Sequence, residues 1–270
     1  MTEAILDRLG RLGRFFWSGW AGLAGLSLLA ALWQAGHEAY GDFILPAPAA
    51  TLRAAWDLLA EPKHWDIALA TIRRAMQGFA LAAALGTATG LAAGYSPATM
   101  RIARPLLTIL IGVPPIAWIV LAMIWFGSTD GTIATTVVVA AAPVVFVGAA
   151  EGAATRDRSL DDMARVFGAS ALFRLRSIGL RHVAAHLFPA LALALGSAIK
   201  VAVMAELLAN TGGIGGALAS ARANLDIAAA LAWVLLAVGA LIMLEYGVLH
   251  PIRAEFERWR EAARPWGVKR

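Results

Sequence analysis

The 270-residue sequence contains no cysteine, and only 15% of its residues are charged. The first absence excludes disulfides, iron–sulfur clusters and thiolate metal sites, without identifying a compartment. The second accompanies 60% hydrophobic residues and a mean hydropathy of +0.69, too apolar for an ordinary soluble domain. The expectation is a chain that lives in a bilayer. Lysine occurs only at Lys63, Lys200 and Lys269, none beside a glycine-rich turn, and no G-x-x-x-x-G-K-[ST] is present. The chain is therefore not a P-loop ATPase by itself. No histidine sits mid-span, which argues against a haem carrier, and no motif brings Ser, His and Asp together as nucleophile, base and orienter. No catalytic residue, bound cofactor or metal is assigned.

What is present is a series of apolar runs. A bilayer core takes roughly 20 helical residues. Six spans are expected, at about Phe15–Trp33, Ile67–Gly94, Pro105–Phe126, Thr132–Ala150, Leu187–Leu208 and Ile227–Leu249. The first follows Arg8, Arg11 and Arg14 as a signal peptide would, but it is long enough to span and is read as uncleaved. An amphipathic segment, Ala49–Ala60, is expected along the membrane surface, and Tyr95–Arg104 as a short basic turn. Residues 1–14 form an N-terminal segment, 15–250 one membrane domain with a loop at about 155–186, and 251–270 a charged tail.

The net charge is +5 and concentrates outside the spans, a topology signal rather than a nucleic-acid footprint. With the N-terminus inside, the cytoplasmic segments hold three basic residues before Phe15, two in the Tyr95 turn, six in the loop and six in the tail. The outer segments hold only Arg53, Lys63 and Arg222. The asymmetry predicts both termini and the loop on the cytoplasmic side.

The loop itself is patterned. Ser159 is a candidate helix cap with Asp162 at the third position, Gly168 a helix end, and Ser170 a second cap before Phe173 and Arg174. Two short helices at an angle make a knob that needs a partner; capping and periodicity alone suit a solvated amphipathic loop equally well.

Charges within spans tend to face an interior or a water-filled path. Arg73 and Arg74 stand near the end of the second span, where they could snorkel. Lys200 is nearer mid-span and is assigned to a pathway or a subunit interface. Glu206 lies six residues on, about 240° around an ideal helix, so the two share one narrow path only with a partner helix. Gly112, Pro114 and Pro115 interrupt the third span, a break found beside translocation routes and equally as a packing kink. Pro114, Pro115, Lys200 and Glu206 are the path candidates. His182 and His186 would share a helical face, but without a third ligand nearby they are not read as a metal site. The outer NTGGIGG stretch, Asn210–Gly216, reads as a turn.

The loop resembles the EAA loop of permease subunits of bacterial ABC importers. Asp162, Met163 and Ala164 stand at the Glu-Ala-Ala triplet, followed at the family spacing by Gly168, Ile178 and Leu180. Arg181 replaces the motif proline, and Ala185 and the Ala190–Leu191–Ala192 step replace further residues usual in the nitrate/sulfonate/taurine branch. ILPAP, TIRRAMQGF, PPIAW to IWFG, MARVFGAS and AELLANTGGIG extend the likeness from about Ile44 to Asp226, and more loosely to Trp259. The resemblance implies an all-α, type I importer permease of about six spans in the bacterial inner membrane. It implies a homodimer, cytoplasmic P-loop ATPase subunits that use ATP and Mg, and an extracytoplasmic solute-binding protein. Asp162, Ala164, Gly168, Ala169, Phe173 and Arg174 would contact the ATPase, and the solute would be a small anion such as a sulfonate, taurine or nitrate. A secondary transporter driven by an ion gradient is the alternative, which leaves the loop without a partner.

Overall fold

The computed structural model describes residues 2–155, 158–170, 173 and 179–249, and every regular element among them is helical. In chain order these are α1 (Thr2–Tyr40), α2 (Pro48–Ala60), α3 (Pro62–Tyr95), α4 (Pro97–Gly112), α5 (Pro115–Phe126), α6 (Asp130–Ala154) and α7 (Arg158–Val166). They continue with α8 (Leu180–Ala209), α9 (Gly213–Ala223), α10 (Ile227–Leu244) and a π-helical turn, Glu245–Leu249. Prolines open α2, α3, α4 and α5, where the missing N–H is unneeded and the fixed φ suits the first turn.

Four helices are long and apolar enough to cross a membrane: α3, α6, α8 and α10. A fifth candidate is the pair α4 and α5, bent by 95°. The described helices thus give four or five such spans where the sequence suggests six; the Phe15–Trp33 run lies within α1. The expected basic turn at Tyr95–Arg104 is also corrected. Ser96 alone joins α3 to α4, its hydroxyl accepting from the Thr99 amide, so Arg101 and Arg104 are helical.

The core is set by small residues on α3. Gly78, Gly86, Gly90 and Gly94 face Val137, Val145, Ala149 and Ala153 of α6, each glycine meeting the residue 59 positions on. A constant offset means that the two helices run in the same direction. The chain between them must therefore return to the end where α3 began. α4 packs through Met100, Ala103 and Leu107 near Phe146 and Ala150, and α5 through Ile119 near Ile133 and Val137. Together they travel from the late end of α6 to its early end, so the bent pair is one broken crossing. Pro114 and Pro115 make the break, because neither supplies the N–H that the Leu110 and Ile111 carbonyls would receive in a continuous helix.

α8 runs antiparallel to both. Gly148 of α6 meets Ala190 and the His186 carbonyl, and Gly152 meets Val183. Ala198, Ile199, Ala202 and Ala205 of α8 close the core around Ala75, Ile119, Ile133 and Val137. α2 lies against the far end of this bundle and packs on α10, and at the start of α3 the His64 ring stands edge-on to Trp233 of α10 at 5.5 Å. Thr51 and Ala55 bury one face of α2, while Leu52, Trp56 and Leu59 stay exposed, as the amphipathic reading expects.

Candidate functional site

Two clusters stand at opposite ends of α8. The first is the knob that precedes it. α7 ends where Phe167 N bonds the Met163 carbonyl at 3.1 Å, Gly168 N the Arg165 carbonyl at 3.0 Å and Ala169 N the Ala164 carbonyl at 2.9 Å. Gly168 has φ +76°, the left-handed value that glycine adopts at least cost, so it ends the helix as the sequence indicates. The Ser170 hydroxyl then accepts from the Phe173 amide at 3.3 Å. Ser159 lies in the first turn of α7, which is described from Arg158.

The sharp turn throws apolar side chains outward. Val166 is 84% and Phe167 83% exposed, with Met163 and Phe173 also exposed. Asp162 and Gly168 are exposed beside them, and Ala164 and Ala169 are half-buried. Arg174 and Ile178 lie outside the described residues. Side chains of this kind gain roughly 1.5–3 kcal/mol each when fully buried. Clustered on a short connection between spans, they form a surface suited to covering by a partner.

The second cluster is a polar clamp at the other end, and periodicity gives no hint of it. Glu206 of α8 is fully buried. One carboxylate oxygen accepts from Thr71 Oγ1 at 2.7 Å and from Gly215 N at 3.1 Å; the other accepts from Arg74 Nη1 at 3.0 Å. Arg74 also donates through Nε to Asp130 Oδ1 at 2.7 Å and through Nη2 to the Thr211 carbonyl at 3.3 Å. Thr71 Oγ1 in turn accepts from Ile214 N at 2.8 Å. A buried carboxylate is tolerable when paired and hydrogen-bonded in this way. Four helices, α3, α6, α8 and α9, are thereby joined.

The backbone between α8 and α9 is shaped for this contact. Asn210 (φ +52°), Gly212 (φ +78°) and Gly213 (φ +73°) reverse the chain, and α9 begins at once. NTGGIGG is thus a turn running into a helix, not a turn throughout. A Cβ on Gly213 would collide with the Glu206 carboxylate, and one on Gly215 would stand 2.6 Å from Glu206 Cβ.

The path candidates divide. Lys200, Pro114 and Pro115 are exposed on the single chain, whereas Glu206 is enclosed with its oxygens committed to the clamp. Arg74 is 13% exposed and locked in place; its neighbour Arg73 is 64% exposed and only 4.0 Å from Asp130. His182 Nε2 lies 3.4 Å from Thr155 Oγ1, and His186 Nδ1 lies 3.2 Å from the His182 carbonyl oxygen. The sequence flagged Arg74, Glu206 and the glycine run separately. Thr71, which bonds both Glu206 and the Ile214 amide in the glycine run, carries no signal beyond being a polar residue in an apolar helix.

Comparison with known proteins gives the wider setting. Residues 82–251, more than half of the chain, match the family described as binding-protein-dependent transport system inner membrane component. The nitrate import permease protein NrtB of Leptolyngbya laminosa is 26% identical over 70% of this chain and 69% of its own length. The riboflavin transport system permease protein RibX of Chloroflexus aurantiacus is 30% identical over 82% of this chain and 83% of its own. The putative aliphatic sulfonates transport permease protein SsuC of Bacillus subtilis is 28% identical over 72% and 71%. With its all-helical spans, the chain belongs to the family of binding-protein-dependent transport system inner membrane components, the permeases of ABC transporters.

Proposed function

We propose that this chain is the permease subunit of an ATP-driven importer for a small anion, coupled through the 159–181 loop to separate P-loop ATPase subunits in the cytoplasm. The observation that carries this reading is the uncovered apolar knob immediately before α8. Asp162, Ala164, Gly168, Ala169, Phe173 and Arg174 are its contact residues. ATP and Mg are used by the partner subunits, whose closure drags the knob and with it α8. An extracytoplasmic binding protein delivers the solute, and both termini lie in the cytoplasm.

Solute passes between two copies of the chain. Leu193, Lys200, Met204 and Leu208 are exposed and fall on one side of α8 at helical spacing. An ammonium group within a span is poorly tolerated against lipid, so this side faces water or the second copy. Lys200 then offers a positive charge to an anion, and the exposed break at Pro114 and Pro115 lines the same route. Relatives named for nitrate, aliphatic sulfonates and taurine support an anionic solute. A relative named for riboflavin transport is compatible with a scaffold that serves other solutes too, and in this reading the binding protein makes most of the choice. Reconstitution with co-encoded ATPases tests the reading: uptake that requires ATP supports it, and uptake driven by an ion gradient without an ATPase overturns it.

A further inference from the structure

The knob and the clamp are joined by one helix. α8 runs unbroken through Pro189 from Leu180 to Ala209, so Glu206 stands 26 residues from the knob end, about 39 Å along the axis. At that far end the start of α9 folds back onto α8. Its N-terminal amides and the positive end of its dipole would attract an anion, and Glu206 fills that place from within the chain. Gly213 and Gly215 leave no room for a side chain there. Thr71 bonds both the carboxylate and the Ile214 amide, and Arg74 extends the tie to Asp130.

We infer that Glu206 is a positioning residue: its carboxylate seats the glycine-rich start of α9 against α8 and α3, so that the two helices move as one piece when the knob is driven. The inference rests on the importer reading for what drives the knob. Separating α9 from α8 would break the Gly215 amide's bond to the buried Glu206 carboxylate and the Ile214 amide's bond to buried Thr71, leaving buried polar groups unpaired, so the joint stays closed while the surrounding helices shift. A displacement imposed at Phe167 and Phe173 therefore reaches α9 without loss at the turn.

The test uses the full chain reconstituted with its ATPases and a solute-loaded binding protein. Solute taken up per ATP hydrolysed is compared for the wild type, Glu206→Gln and Thr71→Val. Glu206→Gln is expected to lower that ratio by about fivefold or more, the low end of ordinary inter-site coupling. Thr71→Val keeps the ion pair and is expected to give a smaller loss. Spin labels on Leu69→Cys and Ser220→Cys, in a chain without native cysteine, report the α3 to α9 distance. One narrow distribution is expected in the wild type and broad ones in both variants. An unchanged ratio and a narrow distance in both variants overturn the inference. If Glu206→Gln does not accumulate in the membrane, Thr71→Val decides by the same two readouts. A wild-type chain without ATP-dependent uptake sinks the importer reading instead, and the label distances still test the joint.

Discussion

Gly90 of α3 lies against Ala149 of α6 so closely that a Cβ built on the glycine would stand 2.8 Å from the Ala149 side chain and 2.5 Å from the Phe146 carbonyl oxygen. The obstacle is backbone and cannot swing aside. Gly90→Val should therefore destabilise the chain by at least the roughly 1–3 kcal/mol of an overpacked core. Gly25→Ala, where nothing lies within 4 Å, should be neutral or slightly stabilising. Thermal unfolding in one detergent compares the two; equal midpoints would show that the parallel α3–α6 seam is not packed as described.

The two adjacent arginines should differ sharply. Arg74→Ala leaves the fully buried Glu206 without its cation and should cost about 3–5 kcal/mol. Arg73→Ala removes an exposed partner at 4.0 Å and should cost about 1 kcal/mol or less. Unfolding midpoints of both variants check the ranking, and a reversed order would contradict the clamp.

These cases show what a sequence can and cannot display. The presence of α3, α6, α8 and α10 follows from runs of apolar residues, although α3 and α8 begin several residues before their apolar runs at Ile67 and Leu187. Gly168 ends α7 because glycine takes a left-handed φ freely. Such features depend on neighbours along the chain. The Arg74–Glu206 pair is 132 residues apart, and nothing local connects its halves. α9 was hidden because its start is glycine-rich, and glycine signals a turn unless a carboxylate from another helix fills the space its side chains lack. The proline pair at Pro114 and Pro115 announced a break in the third span, but the 95° angle comes from the packing of α4 and α5 on opposite ends of α6.

Gly168→Val should uncouple ATP hydrolysis from uptake. Its φ of +76° would cost a β-branched residue about 1–2 kcal/mol or more, enough to re-aim Phe167 and Phe173 without unfolding the bundle. Solute-stimulated hydrolysis and uptake, measured on equal amounts of membrane-inserted protein, report the effect. Normal values for both would show that the turn does not matter.

Lys200 should matter by charge. Lys200→Gln should reduce uptake of an anionic solute at subsaturating concentration by about tenfold, equivalent to about 1.4 kcal/mol, while Lys200→Arg should retain most of it. Equal uptake by Lys200→Gln and the wild type, with a binding protein known to be loaded, would remove Lys200 from the path.

The central claim is that the apolar knob before α8 is the joint to an ATPase. The most direct measurement is a mild-detergent pull-down of the tagged chain from its native host, run beside Phe167→Asp. Phe167 is 83% exposed, so the substitution should leave the fold intact. The account predicts that a P-loop ATPase co-purifies with the wild type and is lost, or held at least tenfold more weakly, with Phe167→Asp. Recovery of the chain without any ATPase, or equal recovery of the ATPase with both, would contradict it.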